Sequence, residues 1–280
     1  MMLLDLGCYE CIMEQINSGT GEINEGQSIP TPFEQVNNTG LYEVTCNKGH
    51  KSYTIIDNMD FEILFEYGIN AIADGYYRES VSSLTASMER YFEFAIKTIL
   101  RNSNVDFAII DKTWKNIANQ SERQLGAYIA LYTQAFGEEP ILLNSNKDVP
   151  FRNSVIHKGY IPTKEQAIEF GNAILKMIET SLITLKSKFP QATIETFDNY
   201  GFQKTAYKEL QKIEKETKIE KGSLCVNIMT TIDVKHGREL NNEDGRKGNI
   251  EERIPSILER REPRSLRMFK DLPDEYKNKI

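Results

Sequence analysis

Hydrophobic positions follow two rhythms along the chain. From Asp60 the spacing is three and four: Phe61, Leu64, Phe65, Gly68, Ile69 and Ile72 share a helical face, and Asp74-Gly75 breaks the run. Tyr77, Val81, Leu84, Met88, Tyr91, Phe92, Ala95, Ile96 and Ile99 extend a longer stripe to about Leu100, which reads as core. A shorter helix is expected over 107–118, carrying the only Trp, Trp114. Ser121-Glu122-Arg123-Gln124 reads as a capping box opening a helix that stops at Gly137. Pro150 suits the first turn of a short helix that ends near Gly159. Thr163-Lys164-Glu165-Gln166 is a second capping box; its helix buries Ala167, Phe170, Ile174, Leu175, Ile178, Leu182 and Leu185 and ends before Pro190.

Elsewhere the period is two. Tyr42 and Val44 alternate before residues 46–50, and Tyr53 and Ile55 after them, which predicts a β-hairpin. Leu224, Val226, Ile228, Thr230, Ile232 and Val234 give a strand signal without a recognisable partner. Tyr207, Leu210 and Ile213 suggest a helix ahead of it. The pattern therefore predicts a mainly α chain in three segments. These are a small β unit at 1–58, an antiparallel helical bundle at 59–189 and an α/β extension at 190–280.

Composition narrows this picture. The chain is 40% hydrophobic and 27% charged, which suits a soluble globular protein. A net charge of −7 argues against coating nucleic acid through overall charge, while leaving local basic patches open. No run of 18 apolar residues exists, so no membrane span is expected. The start, Met-Met-Leu-Leu-Asp-Leu-Gly-Cys, lacks the basic and apolar regions of a secretory signal. Four Cys without such a signal point to metal or free thiols in the cytoplasm rather than disulfides.

Candidate chemistry gathers at three places. Cys8 and Cys11 form a C-x2-C pair, and 34 residues later Cys46 and His50 form a C-x3-H pair. Each pair can wrap one side of a tetrahedral Zn²⁺, with Gly49 easing the turn. Four protein ligands close the shell, so the expected zinc is structural and holds together a unit poor in large apolar residues. The unit looks like a zinc ribbon with one Cys replaced by His.

Second is Arg152-Asn153-Ser154-Val155-Ile156-His157. Arg is a permanent cation whose fork suits phosphate, and His passes protons near neutral pH. Asn153 and His157 are one turn apart and can hydrogen-bond. Arg152 is turned from His157 by about 140°, within reach of its long stem. Such spacing arises by chance often enough to need support from its surroundings. Third, Arg260, Arg261, Arg264 and Arg267 lie in an Arg-rich run at 253–270 that can track a phosphate backbone; the alternative is a solvated helix surface or docking arm.

Two stretches resemble the HEPN family of helical domains. One is Phe65-Glu66-Tyr67-Gly68-Ile69-Asn70-Ala71 running on to Glu89-Arg90-Tyr91; the other is Phe151 to Gly159. The family's ribonuclease signature is Arg, a polar residue, a few variable residues and His, which Arg152, Asn153 and His157 match. The resemblance covers roughly 60–189, and such proteins occur among toxins, abortive-infection systems and other phage-defence effectors. It implies an endoribonuclease that needs no cofactor for catalysis. A His takes the ribose 2′-OH proton, Arg152 steadies the phosphorane, and the products are a 2′,3′-cyclic phosphate and a 5′-OH. It further implies a homodimer or higher oligomer, an RNA substrate and a phage-derived trigger. Residues 1–58, with eight acidic and two basic residues, are expected to cover the basic cleft until that signal arrives. The alternative is a non-catalytic HEPN module for dimerisation and for RNA or protein binding.

Overall fold

The computed structural model describes residues 3–17, 28–32, 37–228, 230–235 and 248–259. In chain order the elements are β1 (Leu3–Gly7), α1 (Tyr9–Asn17), β2 (Ser28–Pro32), β3 (Leu41–Thr45) and β4 (Lys51–Ile56). Then come α2 (Asp60–Ala73), α3 (Tyr77–Asn102), α4 (Phe107–Ile117), α5 (Ser121–Phe136), α6 (Asp148–Lys158) and α7 (Lys164–Lys188). The chain continues through α8 (Pro190–Tyr200), α9 (Phe202–Thr217), β5 (Ser223–Val226) and α10 (Ile250–Glu259). The protein is mainly helical with small sheets, and it divides into two compact units. Among the described residues no helix is long and apolar enough to cross a membrane.

The first unit takes the described residues within 1–57, 202–228 and 255–259. Strands β1 and β2 pair antiparallel, Leu3 opposite Pro32 and Gly7 opposite Ser28. The alternation around residues 46–50 does form a hairpin: β3 and β4 pair with Leu41 opposite Ile55 and Thr45 opposite Lys51. Strand β5 adds to the other edge of β4 in parallel, Tyr53 opposite Ser223 and Ile56 opposite Val226. Tyr53 and Ile55 pack on Ala206 and Leu210 of α9, with Leu41 and Ile213 at the margin.

The second unit takes the described residues within 58–201 and 229–254. Its core runs through edge-on and tilted rings: Phe61 with Tyr91 and Phe94, and Tyr128 with Tyr132. The buried Tyr128 hydroxyl donates to Ser181 Oγ at 2.9 Å, which ties α5 to α7. Helices α2 and α3 approach closely because residue 68 is Gly; a Cβ there would stand 2.6 Å from Leu84 Cγ. The Thr163 box forms as expected: its hydroxyl accepts from Gln166 N–H and the Gln166 amide accepts from Thr163 N–H.

Two local expectations need correction, at Ser121 and at the Leu224 run, and α8 is a helix that the spacing does not announce. Ser121 is the first helical residue rather than the cap, which is Gln120, and no side-chain cap bond forms there. Pro190 ends α7 but also starts α8, because its missing N–H costs nothing in a first turn. The alternating run from Leu224 is a strand only as far as Val226. Beyond it the backbone finds other partners: Thr231 N–H donates to Glu66 Oε1, and Val234 N–H to Glu62 Oε1 at 2.7 Å. Both carboxylates are buried on α2, one turn apart. Arg253 lies beside them, donating to Thr231 O at 3.3 Å and to Glu179 at 3.4 Å. The described residues beyond 189 are thus shared out: α9 and β5 belong to the first unit, and α8, residues 230–235 and the start of α10 to the second.

Candidate functional site

Two places carry chemistry, one in each unit. In the first unit Cys8 closes β1 and Cys11 lies in the opening turn of α1. Cys46 and His50 bracket the tip of the β3–β4 hairpin. The hairpin turns tightly there: Gly49, at φ 83°, donates its N–H to Cys46 O at 2.8 Å, and Cys46 N–H donates to His50 O at 3.1 Å. The ligand atoms of Cys8, Cys11, Cys46 and His50 all lie within 4.8 Å of one another. Cys11 Sγ is 3.6 Å from Cys46 Sγ and 3.4 Å from His50 Nδ1. A tetrahedron with metal–sulfur bonds near 2.3 Å and metal–nitrogen bonds near 2.05 Å has edges of about 3.8 and 3.6 Å. The cluster therefore has the size and donor set to hold a metal ion.

The electrostatics agree. Burial, and then neighbouring Cys46 and Cys8, push the Cys11 thiol up to about 12. Burial also works against a Cys46 thiolate, but backbone amides of Lys48 and His50 outweigh it and hold that thiol down at about 7. Three sulfurs packed together resist ionising jointly, and a cation among them removes that cost. Ser52 supports the floor, its hydroxyl donating to Cys8 Sγ at 3.8 Å while accepting from Tyr9 N–H at 3.1 Å.

Behind His50 stands a residue that sequence reading missed. Glu14 Oε1 is 3.4 Å from His50 Nε2, and Glu14 Oε2 accepts from Lys48 Nζ at 2.8 Å. A carboxylate on the far ring nitrogen fixes the tautomer and leaves Nδ1 as the donor toward the cluster. The available signal was its place on α1, one turn beyond Cys11. The first pair also differs from a ribbon built of two hairpins. Cys8 and Cys11 sit at a strand–helix junction, where positions three apart in a first turn converge equally well.

The second place is α6. Phe151 and Val155, one turn apart, anchor it: Val155 is fully buried, and the Phe151 ring lies 5.5 Å from that of Phe170 on α7. Asp148 fastens the preceding loop by accepting from Asn144 N–H at 2.9 Å. At the other end Gly159, at φ 72°, lets Tyr160 N–H cap Ser154 O at 3.0 Å. With the buried face so fixed, His157 is exposed in the last turn, and Arg152 and Asn153 are half-buried. Asn153 does not bond His157. Its Oδ1 accepts instead from Arg152 Nε and Nη2, because the neighbouring guanidinium reaches it with two donors at once.

Arg152 and Asn153 line a groove of about 280 Å³. Its apolar walls come from Met88 and Phe92 of α3, Leu125 of α5, Leu142 and Met177; Glu89 and Glu122 line it as well. His157 is not among the lining residues. The carboxylates were missed in sequence because each reads as an ordinary solvated helix charge. Arg260, Arg261, Arg264 and Arg267 lie outside the described residues. The fold and sites thus define a two-unit, mainly helical protein with a four-residue cluster able to hold a metal ion and a polar surface helix beside a groove. The chain matches no protein-family model, no curated protein and no solved structure.

Proposed function

We propose that the protein is a HEPN-type endoribonuclease of phage defence, cutting RNA with Arg152 and His157 of α6. The supporting observation is that one short helix offers solvent an exposed imidazole and a half-buried guanidinium that, among the described residues, bonds only a neutral amide. A guanidinium without a carboxylate keeps its full charge for a phosphate. Two copies of the chain bring two such helices to one cleft. One imidazole removes the 2′-OH proton as the 2′-oxygen attacks phosphorus, and the other protonates the departing 5′-oxygen. Arg152 holds the charge on the phosphorane, and Asn153 holds Arg152. The Cys8, Cys11, Cys46 and His50 cluster holds a structural zinc ion, which adds folding energy to the small unit and takes no part in bond cleavage. The work is cytoplasmic, and a phage-derived signal releases it.

Incubating pure protein with total RNA tests this reading. Wild type should leave 2′,3′-cyclic phosphate and 5′-OH ends, and His157→Ala, folded and of unchanged oligomeric state, should leave RNA intact. Undiminished cleavage by that variant overturns it. A non-catalytic binding module is the second reading, favoured by His157 not lining the groove that Arg152 lines. RNA retained but uncut by wild type selects it.

A further inference from the structure

Glu89 and Arg152 face one groove and are not paired. Glu89 is half-buried on α3, and its carboxylate has no hydrogen bond or ion pair to any described residue. Arg152, on α6, has only Asn153 as a hydrogen-bond partner among the described residues. Half-buried opposite charges that line the same space without meeting leave both charges to a ligand. The Arg152 contacts also settle the Asn153 amide: with Oδ1 occupied, its nitrogen end is the free one, carrying two donors. The groove thus draws donors from α6 and carboxylate acceptors from Glu89 of α3 and Glu122 of α5, with Phe92, Met88 and Met177 in its apolar lining.

This pattern matches one nucleobase. Guanine carries acceptors, N7 and O6, on one part of its edge and a donor pair, N1–H and N2–H, on the next. A carboxylate accepts that donor pair with both oxygens, as no other common base allows. Splayed-out RNA bases are read in this way, on hydrogen-bonding edges and against apolar or aromatic faces. About 280 Å³ is room for a single base rather than for a structured partner. We propose that this groove is a guanine subsite, with Glu89 reading N1–H and N2–H and Asn153 donating to O6 and N7. It would direct cleavage to phosphates next to guanosine. The proposal rests on reading α6 as the cleavage site, since Arg152 would then hold the phosphate attached to the bound guanosine.

The test has two independent arms. In the first, the full chain cuts a random-sequence RNA pool and the ends are sequenced. Ends should cluster at guanosine, and inosine, which lacks the N2 amine, should lower cutting at that position about tenfold or more. Glu89→Gln should erase the preference. In the second arm, guanosine 3′-monophosphate binding is measured by calorimetry against the adenosine, cytidine and uridine monophosphates. Guanosine should bind at least tenfold tighter, and Glu89→Gln should abolish the difference. Cutting without base preference, or a preference that folded Glu89→Gln retains, overturns the subsite while the nuclease reading stands. Selective Glu89-dependent guanosine binding by a protein that cuts no RNA upholds the subsite and removes the nuclease. Absence of both selective cutting and selective binding removes the subsite, and leaves the groove to a protein side chain.

Discussion

Asn153 Oδ1 accepts two hydrogen bonds from Arg152, from Nε at 3.1 Å and from Nη2 at 2.9 Å. Sequential neighbours on a helix point about 100° apart, so this contact forms only because the arginine side chain folds back along the helix surface. One amide therefore sets where the guanidinium aims. Asn153 is a positioning residue for Arg152 in the proposed cleavage.

Asn153→Ala should lower kcat for RNA cleavage about a hundredfold through misplacement of Arg152, and raise KM about tenfold through loss of its contacts with the proposed guanine. Stability should change by about 1 kcal/mol, the worth of a partly exposed hydrogen bond. Steady-state kinetics with urea denaturation as the fold control would read both. A rise in KM at constant kcat would mean that Asn153 only binds substrate.

Glu14 should matter to a metal it does not touch. Its carboxylate stands against His50 Nε2, and bonding to Lys48 holds Glu14 below the usual carboxylate range. Glu14→Ala should weaken zinc binding about 10–100-fold, read by competition with a chromogenic chelator. Cys46→Ser should reduce it more, as a ligand is lost outright. Equal affinity of Glu14→Ala and wild type would show that Glu14 acts only as a partner of Lys48.

Gly68→Ala is a one-carbon test of the helical unit. The added Cβ meets the Leu84 side chain at 2.6 Å, with the Leu84 backbone nitrogen behind it at 3.4 Å. The expected loss is about 1–3 kcal/mol from overpacking, visible as a lower urea midpoint at unchanged m-value. Gly126, with open space around it, is the matched control, and Ala there should be neutral or stabilising.

Glu62 should make stability fall with rising pH. Burial pushes it up to about 8, although the amides of Met59 and Val234 pull the other way. The unfolded carboxyl titrates near 4.5. Between those values the folded chain keeps a proton that the unfolded chain has released. The associated stabilisation is complete below about 4.5 and is lost as pH rises through about 8, with a slope of at most about 1.4 kcal/mol per pH unit. Glu62→Gln cannot ionise, so its urea midpoint should lack that part of the decline. Parallel profiles for the two proteins between pH 5 and 9 would contradict the assignment.

Local signals were legible in the sequence, and distant partnerships were not. The apolar stripes marked α2, α3 and α7 because each helix carries its own periodicity. Thr163 and Gly159 marked ends because caps are built from adjacent residues. Cys8, Cys11, Cys46 and His50 were readable as one set because metal chemistry restricts which residues can join it. The parallel partner of β5 was hidden, since parallel pairing leaves no turn to announce it. Nothing local in the sequence singles out Glu62 and Glu66 on α2, because their burial draws on the distant backbone N–H groups of Val234 and Thr231, with Met59 N–H added at Glu62. Asn153 was placed with His157 by spacing alone, which cannot register that a neighbouring guanidinium competes for the same oxygen.

Strand β4 has β3 on one side and β5 on the other, yet its two partners are made at very different times. On a ribosome, the cysteine and histidine ligands and the first hairpin emerge early. The opposite flank of β4 then waits, its N–H and C=O groups unmatched, until all of α2 to α9 has been synthesised. Those helices rely on nearby contacts and settle quickly. The small unit is therefore begun first and finished late, and a translation pause before residue 223 would leave an open β edge ready to recruit a second nascent chain.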